Sequence, residues 1–279
     1  VCGELGATML PGLVGDVAIP KRTGDNSVTW FGADNSDAIS ETTGTIGQVT
    51  MSPKTVGAYT KFSHLMRLQS TPEIEQVIRS GFVSILANAI DEAALNGSGS
   101  SSQPTGILNT SGIGSVAGGT NGLAPTLDHV IDLKKAVAID NADAASATYV
   151  TNAKVLSALK QLRAGGSAAG NGSFLWNTDL SGIGRGATPG VINGYRVGVS
   201  NQVPSNLTKG STSGECSAVL FGDYSQALVG FWGSGMELAV SDSDGSDFTK
   251  ALTSVRAITT LDVAVRQASG FSAILDVTT

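Results

Sequence analysis

From Val17 to Ser63 the pattern is extended, and bulky apolar side chains alternate with smaller or polar ones in three stretches. Val17 and Ile19 alternate with Ala18 and Pro20, Val28 and Trp30 with Ser27 and Thr29, and Val49 and Met51 with Gln48 and Thr50. A period of two predicts strands with two distinct faces. Between Phe31 and Thr45 lies a polar stretch, Gly32-Ala33-Asp34-Asn35-Ser36-Asp37 followed by Glu41-Thr42-Thr43-Gly44, which predicts the tip of a long hairpin. A two-stranded hairpin is marginal by itself in water. Such a ribbon has to lie on something, and where its own domain offers no room, that something is a neighbour.

The charge content points the same way. The chain carries 17 Lys and Arg against 23 Asp and Glu, a charged fraction of 14%, where an average soluble domain has about 25%. Either Gly (36 residues), Ser, Thr and Asn supply polarity without charge, or much of the surface faces other copies of the chain. The net charge of −6 argues against a nucleic-acid reader, which needs a basic stripe. With 41% hydrophobic residues the 279-residue chain has material for a core. No apolar run approaches the ~18 residues of a membrane span, and no basic start followed by an apolar stretch reads as a signal peptide. The first residue is Val1 rather than Met, which suggests a cut precursor or a trimmed chain. Cys2 and Cys216 are expected as free thiols, and with only His64 and His129 present, zinc sites built from His and Cys are excluded.

Residues 1–16 are Gly-rich and irregular and read as an arm rather than a folded layer. The strongest helix is predicted over 72–95, with Thr71 as N-cap, Pro72 at the first helical position, and Glu73 and Glu75 complementing the dipole. Its apolar residues, Ile74, Val77, Ile78, Phe82, Ile85, Leu86, Ala89 and Ile90, fall at spacings of three and four, and Asn96-Gly97 ends it. After a Gly/Ser-rich connection, a second helix starts near Thr126 with Val130, Leu133 and Val137 inward. A strand at Thr148–Thr151 leads into a third helix capped by Asn152, with Val155, Leu156, Leu159 and Leu162 on one face. A long loop spans 165–190, and strands follow at 191–199, 217–222, 227–232 and 236–240. Leu261, Val263 and Val265 alternate with Asp262, Ala264 and Arg266 in a last strand region. The layout is α+β, with the long helix and the C-terminal strands expected to pack together.

No catalytic constellation emerges. There is no GxSxG elbow and no phosphate-binding Walker pattern. Gly182-Ile183-Gly184-Arg185-Gly186 and Gly112-Ile113-Gly114 neither follow a strand nor open a helix, and read as surface loops. The one acidic cluster with a metal flavour is Asp242, Asp244 and Asp247, a calcium candidate. Its Gly is at the fourth position rather than the sixth and its closing Glu is missing, so a solvated turn is the expectation. Trp232 is expected in the core; Trp30 and Phe31, near the ribbon tip, are expected against a neighbouring chain.

These segments together resemble a family. Ile19-Pro20-Lys21-Arg22-Thr23-Gly24 through Val28-Thr29-Trp30, with Val49-Thr50-Met51-Ser52-Pro53-Lys54 returning, resembles the extension loop of tailed-bacteriophage major capsid proteins, the Hong Kong 97 fold. The helix 72–95 with Gln103-Pro104-Thr105-Gly106-Ile107-Leu108 is similar to the family's spine helix and following turn. Tyr149-Val150-Thr151-Asn152, Phe174-Leu175-Trp176-Asn177, Gly194-Tyr195-Arg196-Val197 with Val203-Pro204, Leu220-Phe221-Gly222-Asp223-Tyr224 and the ending Arg256, Asp262 and Gly270-Phe271 are also similar, in order, over nearly the whole chain.

The resemblance implies a non-catalytic shell subunit without cofactors. It implies an N-terminal arm (1–16), an extension-loop hairpin (17–63), a spine helix and part of a peripheral domain (64–121), an axial domain (122–240) and peripheral C-terminal strands (241–279). Trp30, Phe31, Lys54, Lys61, Arg67 and Trp176 become inter-subunit contact candidates. The implied partners are copies of the chain in pentamers and hexamers, a portal, a scaffold or protease, and decoration proteins, around DNA held without sequence reading, in a virion assembled in the host cytoplasm, with no membrane. The family's namesake cross-links a Lys of the extension loop to an Asn of the peripheral domain. Lys21, Lys54 and Lys61 are present, but no Asn follows Asn206, so no such cross-link is expected. An encapsulin-like compartment shares the fold and is the alternative; an extracellular adhesin and an enzyme are weaker ones.

Overall fold

The computed structural model describes residues 2–24, 28, 30, 44–69, 74–162, 190–242 and 245–279, with side chains undescribed at 234 and 245–247. The chain opens with β1 (Thr8–Leu13), β2 (Val17–Arg22), β3 (Ile46–Met51) and β4 (Lys54–Ser63). A short helix α1 (His64–Gln69) and the long α2 (Ile74–Asn96) follow, then β5 (Gly114–Val116) and α3 (Leu127–Ile139). Next come β6 (Thr148–Thr151), α4 (Ala153–Lys160), β7 (Val191–Ile192), β8 (Tyr195–Val199) and β9 (Leu207–Lys209). Three long strands and a shorter one finish the chain: β10 (Thr212–Gly222), β11 (Ala227–Ser241), β12 (Leu252–Val265) and β13 (Phe271–Thr278).

The helices start where capping chemistry puts them. Thr126 Oγ1 accepts from the His129 amide at 3.3 Å while His129 Nδ1 accepts from the Thr126 amide at 3.4 Å, a reciprocal cap for α3. This gives His129 its role. The Asn152 side chain caps α4 through the Val155 amide at 3.0 Å and donates to the Pro204 carbonyl at 3.2 Å. The expected Thr71 cap and Pro72 of the long helix lie outside the described residues.

Three β units result. A seven-stranded sheet runs β5-β13-β10-β6-β8-β7, with β9 beside β10. Its alternate residues serve two cores. Tyr149, Val219, Phe221 and Ile274 face α3 and α4, which add Val130, Leu133, Val137, Val155 and Leu159. Val150, Ala218, Leu220 and Ala273 face the opposite way, onto the end of α2 and onto Leu261 and Val263 of β12. Burial on both faces explains why Ala218–Phe221 is a continuous apolar run. A four-stranded sheet, β1-β11-β12-β4, carries α2 through Phe82 and Leu86 on Phe62, Val255 and Ala257. The third unit is the two-stranded ribbon β2–β3, in register from Val17–Met51 to Arg22–Ile46.

Several expectations are corrected here. Residues 1–16 are not all irregular: β1 runs parallel to β11, a pairing that Pro11-Gly12 interrupts with a register shift between Leu10 and Leu13. Pro is tolerated there because β1 is an edge strand. Within 17–63, β4 does not belong to the ribbon but pairs with β12 over Lys54–Leu261 to Ser63–Leu252. The expected boundary near 240 does not separate the sheets, because β11 lies in the four-stranded sheet and β13 in the seven-stranded one. Strand β11 is also continuous across the expected gap at 232–236. It has a bulge there, with Gly233 and Gly235 at φ of 72° and 92°, a backbone region that favours Gly. On α2, Val77 and Ile85 are exposed rather than packed.

Candidate assembly interface

The ribbon is rooted in its own four-stranded sheet. Met51, the last β3 residue, is fully buried in a small core with Leu228, Trp232 and Ala264, against Leu10, Leu13, Ile19 and Val49. The space for it exists because position 230 is Gly. A Cβ there would stand 2.9 Å from Met51 Cε and 2.7 Å from Leu13 Cδ1. On the other leg, just before β2, the Gly15 carbonyl accepts from Trp232 Nε1 at 2.7 Å. Trp232 is thus a core residue with its polar atom satisfied.

The bend between β3 and β4 is held by Asp262, whose side chain is 4% exposed. Its Oδ2 accepts from the Ser52 amide at 2.9 Å, and its Oδ1 accepts from the Lys54 ammonium at 2.8 Å and the Val263 amide at 2.9 Å. A buried carboxylate is tolerable when paired and fully hydrogen-bonded, as here.

Farther out the ribbon is open to solvent. Ile46 is 78% exposed, Val28 82% and Trp30 89%. A polar cleft of about 610 Å³ separates its Arg22–Gly24 end from Asp140–Ala142 and Asp223 of the body. The body adds exposed apolar side chains at Leu65, Met66 and Leu68 of α1 and at Val77, Val83 and Ile85 of α2.

The six contact candidates are not brought into one patch. Trp30 projects into solvent; Phe31 and Trp176 lie outside the described residues. Lys54 is held by Asp262. Lys61 Nζ lies 5.4 Å from the Tyr59 ring centroid. Arg67 faces Asp242 at 3.9 Å in an exposed pair. Of the calcium candidates, Asp244 and the Asp247 side chain lie outside the described residues; among the described ones, no three His, Cys, Asp or Glu residues group to hold a metal. Sequence reasoning missed Gly230, and gave Asp262 no role beyond its place in the family resemblance. Their signal was a small residue beside Val229 and Phe231 and an acidic one between Leu261 and Val263.

Burial keeps Cys2, Tyr149 and Tyr224 in their neutral forms. Desolvation, with the Asp91 charge adding to it, pushes the Cys2 thiol up to about 12, and desolvation pushes the Tyr149 hydroxyl up to about 12. Tyr224, wholly buried and edge-on to Phe271, is pushed well up for the same reason. Cys2 and Cys216 are both free and buried, as expected. A buried thiol kept protonated is a poor nucleophile. Among the described residues, no helix is long and apolar enough to cross a membrane.

The architecture is that of capsid chains. The chain of the capsid of a native GTA particle superimposes with a TM-score of 0.76 at 19% identity, over 99% of this chain and 89% of that one. The chain belongs to the phage capsid family: the sequence model described as "Phage capsid family" matches residues 4–275. It is 31% identical to the major capsid protein of Halomonas phage phiHAP-1 over 276 residues, 98% of this chain and 40% of that protein. It is 21% identical to the major capsid protein of Klebsiella oxytoca phage phiKO2, over 96% of this chain and 61% of that protein. The chain thus spans less than two thirds of the length of either relative.

Proposed function

We propose that this chain is a major capsid protein, a structural and non-catalytic subunit that assembles with its own copies into the icosahedral shell of a tailed bacteriophage. The observation that carries this reading is the ribbon: clamped at its root, solvent-exposed beyond it, and separated from its own body by a cleft.

In this reading the seven-stranded sheet with α3 and α4 is the axial domain, surrounding the centre of pentamers and hexamers. The four-stranded sheet with α2 is the peripheral domain. The ribbon β2–β3 is the extension loop that lies over an adjacent subunit, bringing Trp30 into contact there. Portal, scaffold or protease, and decoration proteins are the further partners, and the enclosed double-stranded DNA is not read by sequence. The shell is built in the host cytoplasm and becomes part of the virion. The names of the two relatives favour a genome container over an encapsulin-like compartment.

Electron microscopy of the purified protein or of a lysate tests this, with closed icosahedral particles as the expected result. Absorbance at 260 nm in particles purified from a lysate separates a genome container from a protein-cargo compartment. A chain that stays monomeric under every assembly condition overturns the proposal.

A further inference from the structure

The ladder between β4 and β12 ends at the pair Lys54–Leu261. Beyond it the chain must do two things at once. The strand that departs, at Ser52-Pro53, leaves an amide without a ladder partner. The strand that stays, at Val263, has no β4 residue opposite it. A buried amide without a partner is costly, so each must find an acceptor. Pro53 has no N–H to satisfy. The two remaining amides, Ser52 and Val263, both find the same carboxylate, and Lys54 neutralises it. On the same side, Met51 is seated over Gly230, the register partner of Asp262 in β11.

We propose that Asp262 is a positioning residue that fixes the angle at which the ribbon leaves the body, by closing both ends of the broken ladder with one side chain. That angle decides where the ribbon meets a neighbour, so the consequence for assembly rests on the shell reading; the latch itself does not. Because the root is tied at Asp262 and Met51 on one leg and at Trp232 and Gly15 on the other, the ribbon base moves with the four-stranded sheet as one piece. Any rearrangement between assembly states then turns the ribbon about points beyond the root, unless the carboxylate is released.

The test uses the full, unassembled chain with spin labels at Gln48→Cys on the ribbon and Arg256→Cys on the body, both exposed, the two native thiols being buried. A narrow distance distribution is expected, broadened in Asp262→Ala and less so in Asp262→Asn, which keeps one oxygen acceptor. Hydrogen exchange at the Ser52 and Val263 amides rises about tenfold or more in Asp262→Ala, the loss expected for bonds to a charged group. Exchange in β10 stays unchanged. An unaltered distance distribution overturns the latch, as does faster exchange in β10 equal to that at Ser52, which makes Asp262 a general stabiliser. Should Asp262→Ala fail to fold, Asp262→Asn and Lys54→Gln decide in the same way, since a folded variant of either with the narrow distribution and slow Ser52 exchange of the parent removes the proposal. A parent chain that never forms particles defeats the shell reading, while the distances still decide the latch.

Discussion

The seven-stranded sheet and the ribbon are made of similar residues and meet opposite fates. In the sheet, both faces are covered by the chain itself: Phe221 and Leu220, neighbours in sequence, are each fully buried in different cores. In the ribbon, burial stops at the root, with Met51 enclosed and Ile46 at the other end of the same strand exposed. The first region is finished within one chain. In the proposed shell the second is finished by a neighbouring copy, and stability and assembly should therefore respond to different mutations.

The largest effect that would sharpen this contrast is in the sheet. Phe221→Ala should lower unfolding free energy by about 3–5 kcal/mol, read as a drop in the urea midpoint. Asn152→Ala, which loses a helix cap and a buried hydrogen bond, should cost about 1–2 kcal/mol in the same measurement. Alkaline pH is a third, graded probe. Cys2, from 9.0, and Tyr149, from 10.0, are both raised to about 12 in the folded chain. The unfolded chain therefore releases these protons first, so stability is full below about pH 9 and falls as pH rises towards 12. A urea midpoint flat across that window would contradict their burial. Trp30→Ser should change stability by no more than about 0.5 kcal/mol while reducing particle yield. A loss of stability comparable to Phe221→Ala would mean that the ribbon tip is packed in its own subunit, and the contrast would break. The smallest expected effect is none: purified particles should run as a single monomer band on a denaturing gel, because no Asn lies in the last 73 residues to accept a Lys cross-link.

Local features are legible in the sequence. Thr126 and Asn152 announce α3 and α4 because capping is chemistry between residues three apart. The alternating strands of the ribbon, the inward residues of α3 and the two free thiols followed from periodicity and count. Pairing between distant strands did not. β11 and β13 differ little in composition, and which sheet each joins is decided by contacts across more than 100 residues, such as Leu10 with Gly230 and Val116 with Ile274. Strand β1 was hidden by Pro11-Gly12, whose interruption an edge strand absorbs. Asp262 shows the limit most clearly. Alternation with Leu261 and Val263 places it on a solvent face, yet it is buried, because β4 ends one residue earlier and the ribbon elbow covers it. The three-and-four spacing of α2 includes Val77 and Ile85, which are exposed and join no core among the described residues.

The sealed thiols carry a last consequence. With Cys2 and Cys216 both enclosed, neither an oxidant nor a second sulfur reaches them while the fold holds. These two thiols can pass from reducing to oxidising surroundings without forming a disulfide, and dithiothreitol should leave the melting temperature of the chain where it was.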